Sequence, residues 1–185
     1  MADLEQRLYE QVLVLRCQTG DEAAFAQLVE RYGPRLRYYL QKAFGRRDGA
    51  EDAWQDVWFT VFRKVRGLAD PGAFTPWLYQ IARRRAYDVL RQRRPPCRPM
   101  EEAEQLADPS AEAPDFSPEE GQLIHAALDE LTLEHREVLV LRFLEDMTYE
   151  NMAAVTGCQM GTVKSRLWHA KRALRRILER SVIHE

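Results

Sequence analysis

The sequence predicts an all-α protein of two small helical domains joined by an acidic, proline-containing linker. Three observations carry that expectation. Apolar residues recur at helical spacing almost throughout, and no run alternates as a strand would. Pro95, Pro96, Pro99, Pro109, Pro114 and Pro118 cluster in one stretch that breaks helices and holds too few apolar residues to fold alone. The 185 residues suffice for one ordinary domain or two small ones, and 45% hydrophobic residues with 10% aromatics indicate a folded chain. The expected division is 1–94, linker 95–116, and 117–185.

In the first domain, Leu4, Leu8, Val12 and Leu15 form one apolar stripe. "GDEAAFAQLVERYG" supplies a second helix after the turn at Gly20, with Phe25, Leu28 and Tyr32 inward, and a third helix is expected to follow Pro34. Trp54, Val57, Trp58, Val61, Phe62 and Val65 then sit at i, i+3, i+4, i+7, i+8 and i+11, a wide buried stripe. The outer face of that helix carries Glu51, Asp52, Gln55 and Asp56 early and Arg63 and Lys64 late. The helix dipole alone favours that order, so the charges fit a plain surface as well as a docking face.

After "GLADPGAF", Thr75 is placed to cap a helix with Pro76 at its first position. At about 100° per residue, Leu78, Ile81, Ala82, Ala86 and Val89 fall inward, while Gln80, Arg83, Arg84, Tyr87 and Arg91 fall outward. Phosphates would satisfy these guanidiniums, and unstacked bases could lie on Tyr87, Phe74 or Trp77, although Trp77 fits a partly buried core position equally well. Arg85 points inward and is expected to pair with Asp88.

The second domain opens with "SPEE", where Ser117 and Glu120 have capping-box spacing. Leu123, Ile124, Ala127, Leu128 and Leu131 continue inward, and "LTLEHREVLVLRFLEDM" gives a second helix. In "MTYENMAAVTGCQMGTVKSRLWHAKRAL", Thr148 caps a short helix with Met152, Ala153 and Val155 inward. Gly157 ends it, and a longer helix starts near Gly161. That is helix-turn-helix spacing, whose second helix enters the major groove. On that helix Val163, Leu167, Ala170 and Leu174 form the buried line, opposite Lys164, Ser165, Trp168, His169, Lys171 and Arg172. Arg175, Arg176 and Arg180 suit phosphate contacts or solvated charge.

Net charge is only −2, but it is segregated. Residues 81–98 hold seven Arg against one Asp and 161–180 seven Lys or Arg against one Glu, while 99–120 hold eight carboxylates and no base. Two basic helices flanking an acidic strip suit nucleic acid better than the average suggests. No apolar run approaches the roughly 18 residues of a membrane span, so direct membrane insertion is not expected and the chain is placed in the cytoplasm. Cys17, Cys97 and Cys158 form no CxxC pair or metal-ligand cluster. With no Gly-rich phosphate loop and no nucleophile beside a His, neither an enzyme nor a cofactor is expected.

"GDEAAFAQLVERYGPRL", "AEDAWQDVWFTVFRKV", "FTPWLYQIARRRAYDVLR" and the helix-turn-helix stretch, in this order around an acidic linker, resemble the extracytoplasmic-function (ECF) sigma factors of bacterial RNA polymerase over about residues 12–178. The resemblance implies that Asp52, Gln55, Asp56 and Val57 dock on the clamp helices of the largest core polymerase subunit, with the second domain near the flap region of the second-largest subunit. It implies that Phe74, Trp77, Gln80, Arg83, Arg84, Tyr87 and Arg91 bind the minus-10 element, open it and hold a flipped base. Lys164, Ser165, Arg166, Trp168, His169, Lys171 and Arg172 would read minus-35 duplex in the promoter DNA. The linker would thread toward the polymerase active-site and RNA-exit channels, and an anti-sigma factor, in this family often membrane-bound, is an implied partner. The family commonly has Asn at the position of Arg84 and Arg at that of His169, which bears on base preference at both elements. A helix-turn-helix regulator that binds duplex DNA without core polymerase is the alternative, and a helical adaptor without DNA binding a third.

Overall fold

The computed structural model describes residues 2–44, 49–92 and 118–183, with side chains over 4–44, 49–91 and 123–180. Among them every regular element is helical. They divide between two compact units, one within Met1–Pro96 and one within Cys97–Glu185. The 95–116 linker and Ser117 lie outside the described residues, as does the Glu120 side chain.

The first unit contains α1 (Ala2–Gln18), α2 (Glu22–Phe44), α3 (Ala50–Lys64) and α4 (Phe74–Gln92), with short 3₁₀ turns at Val65–Gly67 and Pro71–Ala73. Its core is Leu13, Val14, Leu28, Leu36, Leu40, Val57, Val61, Phe74, Leu78 and Tyr79, all essentially without exposure. Edge-to-face pairs join the helices: Phe25 with Trp58 at 5.8 Å, Tyr32 with Phe74 at 5.4 Å and Tyr39 with Tyr79 at 5.2 Å.

Several sequence expectations are corrected here. The Leu4, Leu8, Val12 and Leu15 stripe faces solvent, and Leu13, Val14 and Cys17 take the inner face of α1. Polar residues on the inner side find partners that the sequence does not show. Thr75 Oγ1 donates to Glu10 Oε1 at 3.0 Å, and Gln18 Nε2 donates to the carbonyls of Val65 and Leu68 at 3.1 and 2.7 Å. Pro34 does not start a new helix; α2 runs through it. A proline inside a helix costs about 3 kcal/mol, but the buried stripe continues on both sides, from Leu28 and Tyr32 to Leu36, Tyr39 and Leu40. Trp54 also packs on this point of α2, its Nε1 donating to the Gly33 carbonyl at 3.1 Å. A Cβ at Gly33 would stand 3.4 Å from Trp54 Cζ2.

Thr75 is not a cap. Asp70 caps the preceding turn by accepting from Gly72 N at 2.8 Å, with Pro71 next, and the helix is already running at Phe74. Phe62 lies half-exposed against the Phe25 ring, and Arg85 pairs with Asp56 of α3 instead of with Asp88. In the second unit Leu123 is likewise exposed.

That unit contains α5 (Pro118–Glu130), α6 (Leu133–Leu139), α7 (Tyr149–Thr156) and α8 (Met160–Ile183). Thr132 caps α6, which widens over Val140–Leu144 into a π turn, with Glu145 N donating to Val140 O at 3.2 Å. Buried Arg136 ties α6 to the end of α5: its guanidinium donates to the carbonyls of Leu128 (2.7 Å), Asp129 (3.0 Å) and Leu131 (2.9 Å). Leu128 O also accepts from Leu131 N at 3.2 Å, so the guanidinium adds to a backbone turn at this helix end and reinforces its C-cap.

Arg136→Ala is expected to lower the stability of the second unit by roughly 2–4 kcal/mol, measured by urea unfolding followed by circular dichroism. Burial is the largest cause holding His135 below its ordinary value, with the charges of His169 and Arg166 adding and Glu134 opposing. A lowered imidazole pKa means the folded state favours the neutral ring, so its contribution is present above pH 6.5 and lost as pH falls below it. The second unit is expected to unfold more easily at about pH 5.5 than at about pH 7.5, and His135→Gln to reduce that difference.

Candidate nucleic-acid interface

Thr148 Oγ1 accepts from Asn151 N at 3.3 Å to start α7. Gly157, at φ 68°, ends it in the left-handed conformation with its N–H on Ala153 O at 2.9 Å. The chain then turns directly into α8, whose buried line is Val163, Leu167, Ala170 and Ile177, with Leu174 only partly covered.

That line leaves Lys164 and Arg172 exposed, with Ser165, Arg166, Trp168, His169 and Lys171 half-buried beside them. Aromatic rings hold these cations. Arg172 Cζ lies 4.5 Å from the Trp168 ring centroid, Lys164 Nζ 5.1 Å from Tyr149 and Lys171 Nζ 5.3 Å from Phe143. His169 meets the Trp168 ring edge-on at 4.8 Å. Tyr149 also lies under Arg142, 5.6 Å away, whose Nη1 donates to Met147 O at 3.0 Å. Arg142 and Tyr149 thus join the face, which sequence reasoning missed because no helical period links them to α8. Glu150 beside them has its carboxyl held below the usual range, first by its backbone N–H, then by the Thr148 hydroxyl, with Lys164 adding. Two of the three distal arginines are engaged within the chain: Arg175 pairs with Glu179 at 2.8 Å and Arg180 with Glu130 at 3.5 Å.

On α4, Gln80, Arg84 and Arg91 are exposed and Trp77, Arg83 and Tyr87 half-buried. Arg83 Cζ sits 4.3 Å over the Tyr87 ring and so covers one of its two faces. Phe74, expected as a stacking platform, has no exposed surface; it packs on Tyr32 and on Trp77, the latter at 6.0 Å. Its role is therefore to seat the start of α4.

On α3, Asp52, Gln55 and Asp56 are exposed, as the periodicity requires. Val57, expected among the docking residues, is fully buried and offers no surface. Phe59 and Phe62, 62% and 51% exposed, extend the same helix, with Arg63 Cζ 5.6 Å over the Phe59 ring. The Asp56–Arg85 pair joins the acidic face of α3 to basic α4. Glu51 pairs with Arg37 at 3.1 Å, and Arg37 lies 4.7 Å over the Trp54 ring. Among the described residues no cluster of three or more His, Cys, Asp or Glu could hold a metal ion, and no helix is long and apolar enough to cross a membrane.

Residues 28–95 match the family Sigma-70 region 2, and residues 121–174 match Sigma-70, region 4. The chain is 31% identical over 182 residues to the ECF RNA polymerase sigma-E factor of Escherichia coli K12, covering 92% of this chain and 95% of that one. It is 32% identical over 181 residues to the RNA polymerase sigma-H factor of Pseudomonas aeruginosa, covering 92% and 94%. Among solved structures, the sigma factor RpoE in complex with the anti-sigma factor NepR from Bartonella quintana is similar at a TM-score of 0.62 with 26% identity, covering 84% of this chain and 96% of that one. CnrH, in complex with the cytosolic domain of CnrY, shares the fold at a TM-score of 0.66 with 23% identity, covering 92% and 97%. The two matched regions, the helical fold and the outward basic face of α8 together place this chain in the ECF RNA polymerase sigma factors, which direct RNA polymerase to promoters.

Proposed function

We propose that this sigma factor divides the work among three helix faces. α8 reads minus-35 duplex through Lys164, Ser165, Arg166, Trp168, His169, Lys171 and Arg172, with Arg142 and Tyr149 flanking it. The exposed side of α4, with Gln80, Arg84 and Arg91 and the half-buried Trp77, Arg83 and Tyr87, binds and opens the minus-10 element. Asp52, Gln55 and Asp56 on α3 dock on the clamp helices of core polymerase, with Phe59 and Phe62 as an apolar extension. The domain boundaries expected from the sequence, 1–94, 95–116 and 117–185, belong to the same reading. So do a cytoplasmic location, contact with the polymerase flap region, and control by an anti-sigma factor.

The single observation that carries this reading is the α7–Gly157–α8 turn, which buries Val163, Leu167 and Ala170 and so presents a row of ring-supported cations on one side. Phosphate binding by such a row releases counterions, and half-buried Trp168 keeps Arg172 extended toward the duplex.

Run-off transcription with purified core polymerase on a promoter library tests the whole assignment: start sites that depend on this chain are expected. Duplex binding without any dependent start site would instead favour a polymerase-independent regulator. Lys164→Ala with Arg172→Ala is expected to weaken minus-35 duplex binding at least tenfold and to lower the salt slope by about two; an unchanged slope would exclude this face. Asp52→Ala with Gln55→Ala, and separately Phe59→Ala, are expected to weaken capture of core polymerase about tenfold or more while leaving duplex affinity intact. Undiminished capture would remove α3 from the docking surface.

A further inference from the structure

α1 carries two apolar faces. Leu13, Val14 and Cys17 are buried in the first unit, whereas Leu4, Leu8, Val12 and Leu15 are each at least half exposed on the other side. At about 100° per residue those four fall within roughly an 80° arc opposite the inner face. A surface helix needs one apolar stripe; a second, continuous over about three turns, is the pattern of a helix covered on both sides.

We infer that the outer face of α1 binds the same face of a second copy of this chain, the two helices antiparallel about a twofold axis. The flanking charges specify that partner. Glu5 and Arg16 lie on the same edge of the stripe, one near each end, and both are exposed. In an antiparallel pair, equivalent edges face one another. The register that sets Leu4 against Leu15 and Leu8 against Val12 of the second copy also sets Glu5 of each copy against Arg16 of the other. Such a contact is isologous: the twofold repeats each favourable pair, and each end of the helix supplies the charge that the opposite end needs. Arg16 pairs with Asp21 at 2.7 Å while remaining about half exposed, so its five-donor fork can serve Asp21 and a second carboxylate together. The stripe is only about 17 Å long, well short of a standard interface, which makes the dimer weak and reversible, with a dissociation constant on the order of tens of micromolar.

Sedimentation equilibrium of the full chain is the test. The mass is expected to rise with concentration from 21.6 kDa toward twice that value. Val12→Glu is expected to stay monomeric with an unchanged circular dichroism spectrum. Glu5→Arg alone and Arg16→Glu alone should each weaken association about tenfold, and an equimolar mixture of the two should restore it, because every cross-pair is then opposite in sign. Glu5→Arg and Val12→Glu keep the test decisive if Arg16→Glu, which crowds Asp21, disturbs folding. The proposal is overturned if the wild-type chain remains a single 21.6 kDa species up to ~100 μM, if Val12→Glu associates like wild type, or if mixing two folded charge variants restores nothing. A monomeric wild type whose Leu8→Glu variant loses core polymerase or an anti-sigma factor would give the face to that partner instead.

Discussion

Phe74, Leu78, Tyr79 and Ala82 seat α4 against α2 and α3 with no exposed surface, and that burial decides what the rest of the helix can do. Fully burying one large apolar side chain is worth about 1.5–3 kcal/mol, whereas an exposed ion pair contributes about 1 kcal/mol or less. The apolar stripe therefore sets the rotation of the helix and the charges take the directions that remain. Gln80, Arg84 and Arg91 point outward for that reason, and Arg85, caught between the two faces, turns to Asp56. The same rule holds on α8, where Val163, Leu167 and Ala170 leave Lys164 and Arg172 to solvent.

Aromatic rings give the charged faces their second layer of organisation. Long cationic side chains lose rotamer freedom when they bind a phosphate or a base edge. A ring under the cation removes part of that freedom beforehand and leaves its hydrogen-bond donors pointing outward. Trp168 does this for Arg172, Tyr149 for Lys164 and Arg142, and Phe143 for Lys171. A ring so occupied is less available for stacking on a base, which bears on Tyr87 beneath Arg83.

Opposite charges in the chain serve separate surfaces. The acidic face of α3 and the basic face of α4 belong to neighbouring helices of one unit, and the Asp56–Arg85 pair is where they meet. A net charge of −2 hides this arrangement, since neutral averages are compatible with strongly polar faces a few ångströms apart.

Features determined within one helix were legible from residue order: the cap at Thr148 and the turn at Gly157 depend on neighbours in the chain, as does the α8 stripe. The outward placement of Asp52, Gln55, Gln80, Arg84, Lys164 and Arg172 follows from one angle per residue. What residue order could not settle were choices between competing local signals. α1 offers two apolar faces; the inner one is that on which Leu13, Val14 and Cys17 find a core and Glu10 and Gln18 find partners. Pro34 signals a break, and only the continuous core of α2, with Trp54 against Gly33, keeps the helix whole. Val57 and Phe74 lie next to functional positions yet are withdrawn into the core, while Arg142 and Tyr149 come to the α8 face from other helices. Local sequence carries the helix period and its caps, but which stripe is buried depends on surfaces brought from far along the chain, and those exist only once the helices have packed.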